Sequence, residues 1–321
     1  MWRYILRRLM WVIVVLLVIT LITFVIFFVM PSVDPAVAFA GRQPTPEIVA
    51  EVKRQFGLDH PVWEQYLLFV RHLFLGDRYG WPGLGFSFAS RSAIKPELFS
   101  RFLITAQLAV GAALVWLSIG IPIGVASAVR RRSLLDRAAM AFALFFVSMP
   151  VFLLGLLALW LLWFKWHLTP GTGYISVGTN FGSWLGHMIL PWFVLAMLFA
   201  AFYARMTRGN LIETMAQDYI RTARVKGLPE WKVILKHGLR ASLTPVVTMF
   251  GMDLGSLFGT AVVTESVFNL QGMGQWAIIS VFAGDIPTVL AVVSVTAVAI
   301  ALCNLIVDVL YAYLDPRVRY S

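Results

Sequence analysis

The chain has 321 residues, 26 Lys and Arg against 16 Asp and Glu, and a formal net charge of +10, yet only 13% of its residues are charged and 60% are hydrophobic. A soluble domain carries about a quarter charged residues, so a mean hydropathy of +0.80 puts this chain in a lipid bilayer. A charge of +10 would suit nucleic acid, but the basic residues gather in loops on one side of the predicted spans, and no nucleic-acid partner is expected.

Arg3, Arg7 and Arg8 precede an uncharged apolar run from Leu9 to Met30. That run exceeds a secretory signal's apolar region and is long enough to span. It predicts an uncleaved first span with a cytoplasmic N-terminus, even though Ala38-Phe39-Ala40 mimics a cleavage site further on. Pro31 to about Ser100 is a polar excursion with two helix patterns. The first runs from Pro46 to Phe56 and stops at Gly57; the second runs from Pro61 to Leu75 and stops at Gly76. Gly76 to Phe88 reads as a glycine- and aromatic-rich loop. These boundaries divide the chain into residues 1–30 (N-terminal segment and first span), 31–100 (an extracytoplasmic cap) and 101–321 (a five-span core).

Five further apolar runs follow. Phe102 to Val129 is softened by Gly120, Pro122 and Gly124, and ends at Arg130-Arg131-Arg132. Ala138 to Phe164 carries a kink at Ser148-Met149-Pro150. Lys165 to His187 reads as an outer loop, Met188 to Tyr203 as the fourth span and Leu243 to Val263 as the fifth. Glu265 to Asp285, without Lys or Arg, reads as another outer loop, and Pro287 to Tyr313 as the sixth span. Most of the basic residues outside the long first loop fall at Arg3–Arg8, Arg130–Arg137, Arg205–Arg240 and Arg317–Arg319. The positive-inside rule then places both termini in the cytoplasm.

Between the fourth and fifth spans, Asp218 to Pro245 reads D-Y-I-R-T-A-R-V-K-G-L-P-E-W-K-V-I-L-K-H-G-L-R-A-S-L-T-P. Ile220, Ala223 and Gly227 share one small apolar helical face. Gly227 followed by Pro229 is a helix stop and restart, with the proline expected in the next helix's first turn. In that second helix Trp231, Ile234, Leu235, Gly238 and Leu239 form the expected apolar stripe, with Lys232, Lys236 and Arg240 on another face. Two short helices with a glycine corner, hung between spans, form a docking element.

R-T-A-R-V-K-G followed by H-G-L-R-A-S-L-T-P resembles the EAA loop of ATP-binding-cassette importer permeases in its dipeptide/oligopeptide version, with Gly227 six residues after Arg221. Val225, Gly238 and Thr244 depart from that pattern, which has alanine, alanine and an aliphatic residue there. F-G-L-D-H-P-V-W-E-Q-Y at 56–66 resembles the first extracytoplasmic loop of peptide permeases. The short G-D-L-G-x-S that follows in the family is expanded here to G-D-R-Y-G-W-P-G-L-G-F-S. V-T-E-S-V-F-N-L-Q-G-M-G at 263–274 and N-L-I-V-D-V-L-Y-A-Y-L-D-P-R-V-R at 304–319 also match the family's segments.

The resemblance implies an all-α, six-span, type I ABC importer permease fold in a bacterial or archaeal cytoplasmic membrane. It implies a coupling loop at about 209–242 whose Asp218, Arg221, Thr222, Ala223, Arg224, Lys226, Gly227 and Leu228 meet an ATPase. Within it, Arg221, Arg224 and Lys226 would be the polar contacts, and Ala223 and Gly227 the close-packed face. Partners implied are a second homologous permease, two ATPase subunits carrying ATP and magnesium, and an extracytoplasmic substrate-binding protein. The branch moves dipeptides and oligopeptides, and also nickel complexes, glutathione or sugars.

Other features bear on sites. Gly251, Gly255 and Gly259 make a G-x-x-x-G-x-x-x-G ridge on span five that lets another helix approach closely. Asp253 lies mid-span, where an acid is costly and marks either a pathway wall or a hydrogen-bonded helix interface. Asn304 and Asp308 at i, i+4 suit interhelical hydrogen bonding. The sequence holds no G-x-x-x-x-G-K-[ST], G-x-S-x-G or H-E-x-x-H, so ATP hydrolysis and other catalysis are expected on separate subunits. A single cysteine, Cys303, and five histidines without H-x-x-x-H spacing leave no basis for a metal site or a bound cofactor. A channel or secondary transporter would more often show internal repeats, and none is clear; a membrane receptor or scaffold would use the first loop for binding alone.

Overall fold

The computed structural model describes residues 2–30, 34–40, 45–87 and 89–314; the tail carrying Arg317 and Arg319, and the side chains of Arg3 and Asp308, lie outside the described residues. In chain order the elements begin with α1 (Trp2–Phe24), continued by a π-helical turn through Val25–Val29. Then come α2 (Pro35–Phe39), α3 (Pro46–Phe56), α4 (Val62–Leu75) and a two-stranded ribbon of β1 (Phe86–Ser87) and β2 (Ser92–Ala93). The remainder is helical: α5 (Ile94–Val129), α6 (Leu134–Ser148), α7 (Val151–Ala158) continued by a π-helical Leu159–Lys165, and α8 (Phe181–Met215). They are followed by α9 (Asp218–Val225), α10 (Glu230–Lys232), a π-helical Val233–Leu239, α11 (Arg240–Ser242), α12 (Thr244–Phe268), α13 (Met273–Ala283) and α14 (Ile286–Leu314).

Among the described residues, five helices are long and apolar enough to cross a membrane: Leu6–Val29, Ile94–Val129, Phe181–Met215, Thr244–Phe268 and Ile286–Ile306. Leu134–Ser148 and Val151–Lys165 make a sixth span if taken together. The expected kink is there, and it is a 104° break. Pro150 has no N–H to continue the helix and pushes Met149 to an extended φ/ψ of −94°/125°.

Two compact units divide the chain: Met1–Ala106 with Gln271–Ser321, and Gln107–Leu270. In the first, α1 packs along α14 through Leu16, Ala297 and Ala301. The helices α2, α3 and α4 sit on that pair around Phe24, Phe28, Phe39 and Val52, and Tyr66 Oη donates to the Leu17 carbonyl at 3.1 Å. Their ends follow local rules. Thr45 Oγ1 accepts from Ile48 N ahead of α3, and Gly57 closes α3 at φ +62°. The stretch expected as an outer loop, Glu265–Asp285, is instead largely helical. The helix α12 persists to Phe268, and α13 starts where Thr105 Oγ1 accepts from Met273 N at 2.9 Å and Gln275 Oε1 accepts from Gln271 N. Those caps replace the charge pattern as the deciding signal.

In the second unit, Gly120 and Gly124 do not soften α5. A Cβ on either would stand 2.8 or 2.6 Å from the carbonyl oxygens of Ala200 and Ala204, so these glycines let α5 press against α8. Around that contact Trp116 is fully buried and stacks on Phe199, with Tyr203 and Phe250 at its edges. On the ridge of α12, Gly251 and Gly255 are buried, while Gly259 is open, with nothing within 4 Å of a built Cβ.

Candidate docking loop

The long helix α8 ends at Met215, and the two short helices α9 and α10 fold back from its tip. Gln217 caps α9 with an extended backbone, and Thr222 Oγ1 returns a hydrogen bond to the Asp218 carbonyl. Beyond Val225 the chain closes a Schellman corner: Gly227 N donates to Arg224 O at 2.9 Å and Leu228 N to Ala223 O at 3.4 Å. Gly227 stands at φ +75° with open space beside it, so backbone conformation, not crowding, demands glycine there. Pro229 is the residue before α10, not inside its first turn.

A small buried knot holds the two helices together. Ile220, Ala223 and Val233 pack on one another and against Met215. Behind them Gly238 admits α8, since a Cβ there would lie 2.8 Å from Met215 Sδ and 3.1 Å from Leu211 Cδ1. Asn210 Nδ2 donates to the Ser242 carbonyl at 3.3 Å, a second tie to α8. Of the expected stripe of Trp231, Ile234, Leu235, Gly238 and Leu239 only Gly238 is buried; Val233 goes inward with it, Ile234 and Leu239 are half-buried, and Trp231 is 61% and Leu235 52% exposed. The π-helical turn through Val233–Leu239 explains this, because its wider spacing rotates side chains off the 3.6-residue register.

Charges sort into tied and free. Arg224 grips Glu230 across the corner with two hydrogen bonds, Nη2 to Oε1 at 2.7 Å and Nε to Oε2 at 3.2 Å. The guanidinium holds the Glu230 carboxyl below the usual carboxylate range, and the carboxylate raises Arg224 in turn. Arg221 makes only a long 3.5 Å contact with Asp218, both side chains being largely in solvent. Asp218, Thr222, Lys226 and Leu228 are exposed as well, whereas Ala223 is buried within the knot. Sequence reasoning passed over Val225, which is 88% exposed, and placed Trp231 inside. Together with Lys226 and Lys232, whose ammonium lies 5.4 Å from the Trp231 ring, they give the loop a tip that is both basic and apolar.

The root of the loop is fixed differently. Asp136, buried at the start of α6, accepts from both Arg208 Nε (2.6 Å) and Arg208 Nη2 (2.9 Å), from Ser127 Oγ and from the Arg132 backbone N–H. Those four bonds bind the α5–α6 turn to α8 seven residues before it ends. Deeper in α8, Tyr203 Oη donates to Asp253 at 2.7 Å, so the mid-span acid of α12 is half-buried and hydrogen-bonded.

Residues 120–320 match the family described as binding-protein-dependent transport system inner membrane component, and residues 1–109 match its N-terminal membrane-component model. The chain belongs to this permease family. The dipeptide transport system permease protein DppB of Escherichia coli (strain K12) is 38% identical over 345 residues, covering 100% of both chains. The glutathione transport system permease protein GsiC of Salmonella typhi is 37% identical over 322 residues, again across 100% of both. The permease is thus an inner-membrane component of a binding-protein-dependent transport system, as its motifs indicated.

Proposed function

We propose that this permease imports short peptides, and that the loop Asp218–Leu228 docks onto a cytoplasmic ATPase subunit that supplies the energy. The observation that carries the coupling reading is the tip itself. Val225 and Trp231 stand in solvent beside unpaired Lys226, on two helices that are locked to each other and to α8. An apolar, basic tip on a rigid base suits insertion into a cleft of another protein. In this reading the loop and both termini face the cytoplasm. The full system contains a second homologous permease, two ATPases holding ATP and magnesium, and an extracytoplasmic binding protein; this chain performs no catalysis. Closure of the ATPases pulls on the loop and rocks the spans between outward- and inward-facing states as rigid bodies.

The substrate class rests on relatives named for dipeptide and for glutathione transport. Both are short peptides with a free carboxylate. Within the spans, Asp253 is the candidate pathway residue. The open face of α12 beside it carries Ser256, Gly259 and Thr260, whereas the open face of α1 carries Leu9, Met10, Ile13 and Val14. A polar face on a spanning helix fits a solute path or a partner subunit better than lipid. The test is co-purification of wild type and an Arg221→Ala/Lys226→Ala/Trp231→Ala variant with the co-expressed ATPase. Loss of the ATPase from the variant with the permease still folded supports the reading; unchanged binding refutes it.

A further inference from the structure

The expanded loop after α4 builds a cavity. Residues 76–87 fold tightly. Asp77 and Gly80 exchange two backbone hydrogen bonds, Asp77 Oδ1 accepts from Tyr79 N at 2.7 Å, and Asp77 Oδ2 accepts from Gly85 N at 2.8 Å. Gly83 N donates to the His72 carbonyl, and a Cβ on Gly83 would sit 2.3 Å from that oxygen, so only glycine fits. The loop therefore stands as a wall. Between it, α3, α4 and the first turns of α14 lies a cavity of about 340 Å³, within the size range of small-molecule sites.

The lining of this cavity combines two chemistries. Phe56, Phe69, Leu73, Leu84 and Leu290 form an apolar floor. Also in the lining, Arg54 and Arg78 share a single carboxylate, that of Glu51, at 3.1 and 2.7 Å. The Asp77 carboxylate is occupied by backbone N–H groups. Arg78 is further steadied over the Tyr79 ring at 4.9 Å, and Tyr79 stacks on Phe86. The arginine side chains are still 74% and 55% exposed, with guanidinium N–H groups to spare. Two guanidiniums on one carboxylate leave a place for a second oxyanion, held next to an apolar surface.

We propose that this cavity is a binding site for a small organic carboxylate bearing an apolar side chain, of dipeptide size. The carboxylate sits on Arg54 and Arg78 and the side chain on Phe56, Phe69 and Leu290. The site is separate from the docking loop and needs no ATPase. In a chain that moves short peptides, it would hold the C-terminal carboxylate of a peptide before the peptide enters the spans.

The test uses the purified full chain in nanodiscs, without any ATPase, and titrates alanyl-phenylalanine and its C-terminal amide by calorimetry. The acid binds, and the amide binds at least about tenfold more weakly, because one charge-assisted pair is lost. Arg78→Gln, at an exposed position, reduces acid binding to the level of the amide, and Ala291→Phe, which fills the cavity, abolishes it. Equal binding of acid and amide, or binding that survives both Arg78→Gln and Ala291→Phe, overturns the proposal. So does native mass spectrometry that finds an anionic lipid retained by wild type and lost from Arg78→Gln while no peptide binds. Because binding is read without ATPase, failure here is distinct from failure of the coupling reading.

Discussion

Two arginine–carboxylate clamps, one on α8 and one in the loop that follows it, behave as opposites. Arg208 meets a buried Asp136, with Ser127 and the Arg132 backbone completing the carboxylate's bonds. Just past the helix end, Arg224 and Glu230 meet in solvent, both side chains about half exposed. The first joins elements 72 residues apart in sequence; the second only closes a corner six residues wide. A pair whose carboxylate is buried and fully bonded fixes where α8 starts its last turns, whereas an exposed pair merely narrows the poses of the tip. The loop is thus built as a lever: its root is tied through Asp136, its two helices are held by the buried knot of Ile220, Ala223 and Val233, and the exposed Arg224–Glu230 pair adds only a light restraint at the corner.

The strongest way to break that contrast is at the root. Arg208→Ala leaves the buried Asp136 carboxylate without its cation, and Asp136→Ala leaves the half-buried Arg208 without its anion; most of the detergent-stable protein should be lost in a size-exclusion thermal melt. The double change Asp136→Asn/Arg208→Met should recover much of it, since removing both charges removes the desolvation burden. Next in size is the seat of the loop on α8. Gly238→Val should cost about 1–3 kcal/mol by overpacking against Met215 and Leu211, read as a lower melting temperature with uptake reduced in step. At the corner, Gly227→Ala should cost about 1–2 kcal/mol for a left-handed residue, and Gly227→Asp should abolish uptake while membrane insertion, followed by fractionation, stays normal. Loss of insertion would mark Gly227 as a folding residue.

The smallest effect sharpens the comparison. Glu230→Ala should change stability by no more than about 0.2–1 kcal/mol, the range for exposed pairs, with a drop in transport-coupled ATP hydrolysis as the larger readout. Its pH dependence has a definite sign. Arg224 lowers the Glu230 pKa in the folded protein. The pair's contribution is therefore complete above the ordinary glutamate value and is lost as pH falls through the lower folded value. Melting curves of wild type and Glu230→Ala should differ at neutral pH and converge in acid.

Local rules made much of this legible beforehand. Pro46–Phe56 with Gly57, the helix ending at Leu75 and the Gly227 corner all follow from residues that dictate φ or remove an N–H. Pro150 announced a kink, but its 104° size depends on what the two halves pack against. The α13 helix was hidden because its caps come from Gln275, four residues on from the Gln271 N–H it accepts, and from Thr105, far away in sequence. The partners of Arg224 and Arg208 were equally out of reach: charge spacing shows that an arginine exists, not which carboxylate the fold delivers to it. Trp231 and Leu235 were turned outward by a π-helical stretch that no apolar periodicity announces.

Contact between the tip of the loop and an ATPase is directly measurable because the chain has a single cysteine. In a Cys303→Ser background, Val225→Cys places one thiol at the most exposed part of the corner. Membranes containing the co-expressed ATPase subunit are treated with a short thiol–amine cross-linker, with and without ATP. The expected result is a permease–ATPase adduct through residue 225 whose yield changes with nucleotide. An ATPase that co-purifies with the permease yet gives no adduct from residue 225, while a cysteine at Arg131 does, would contradict it.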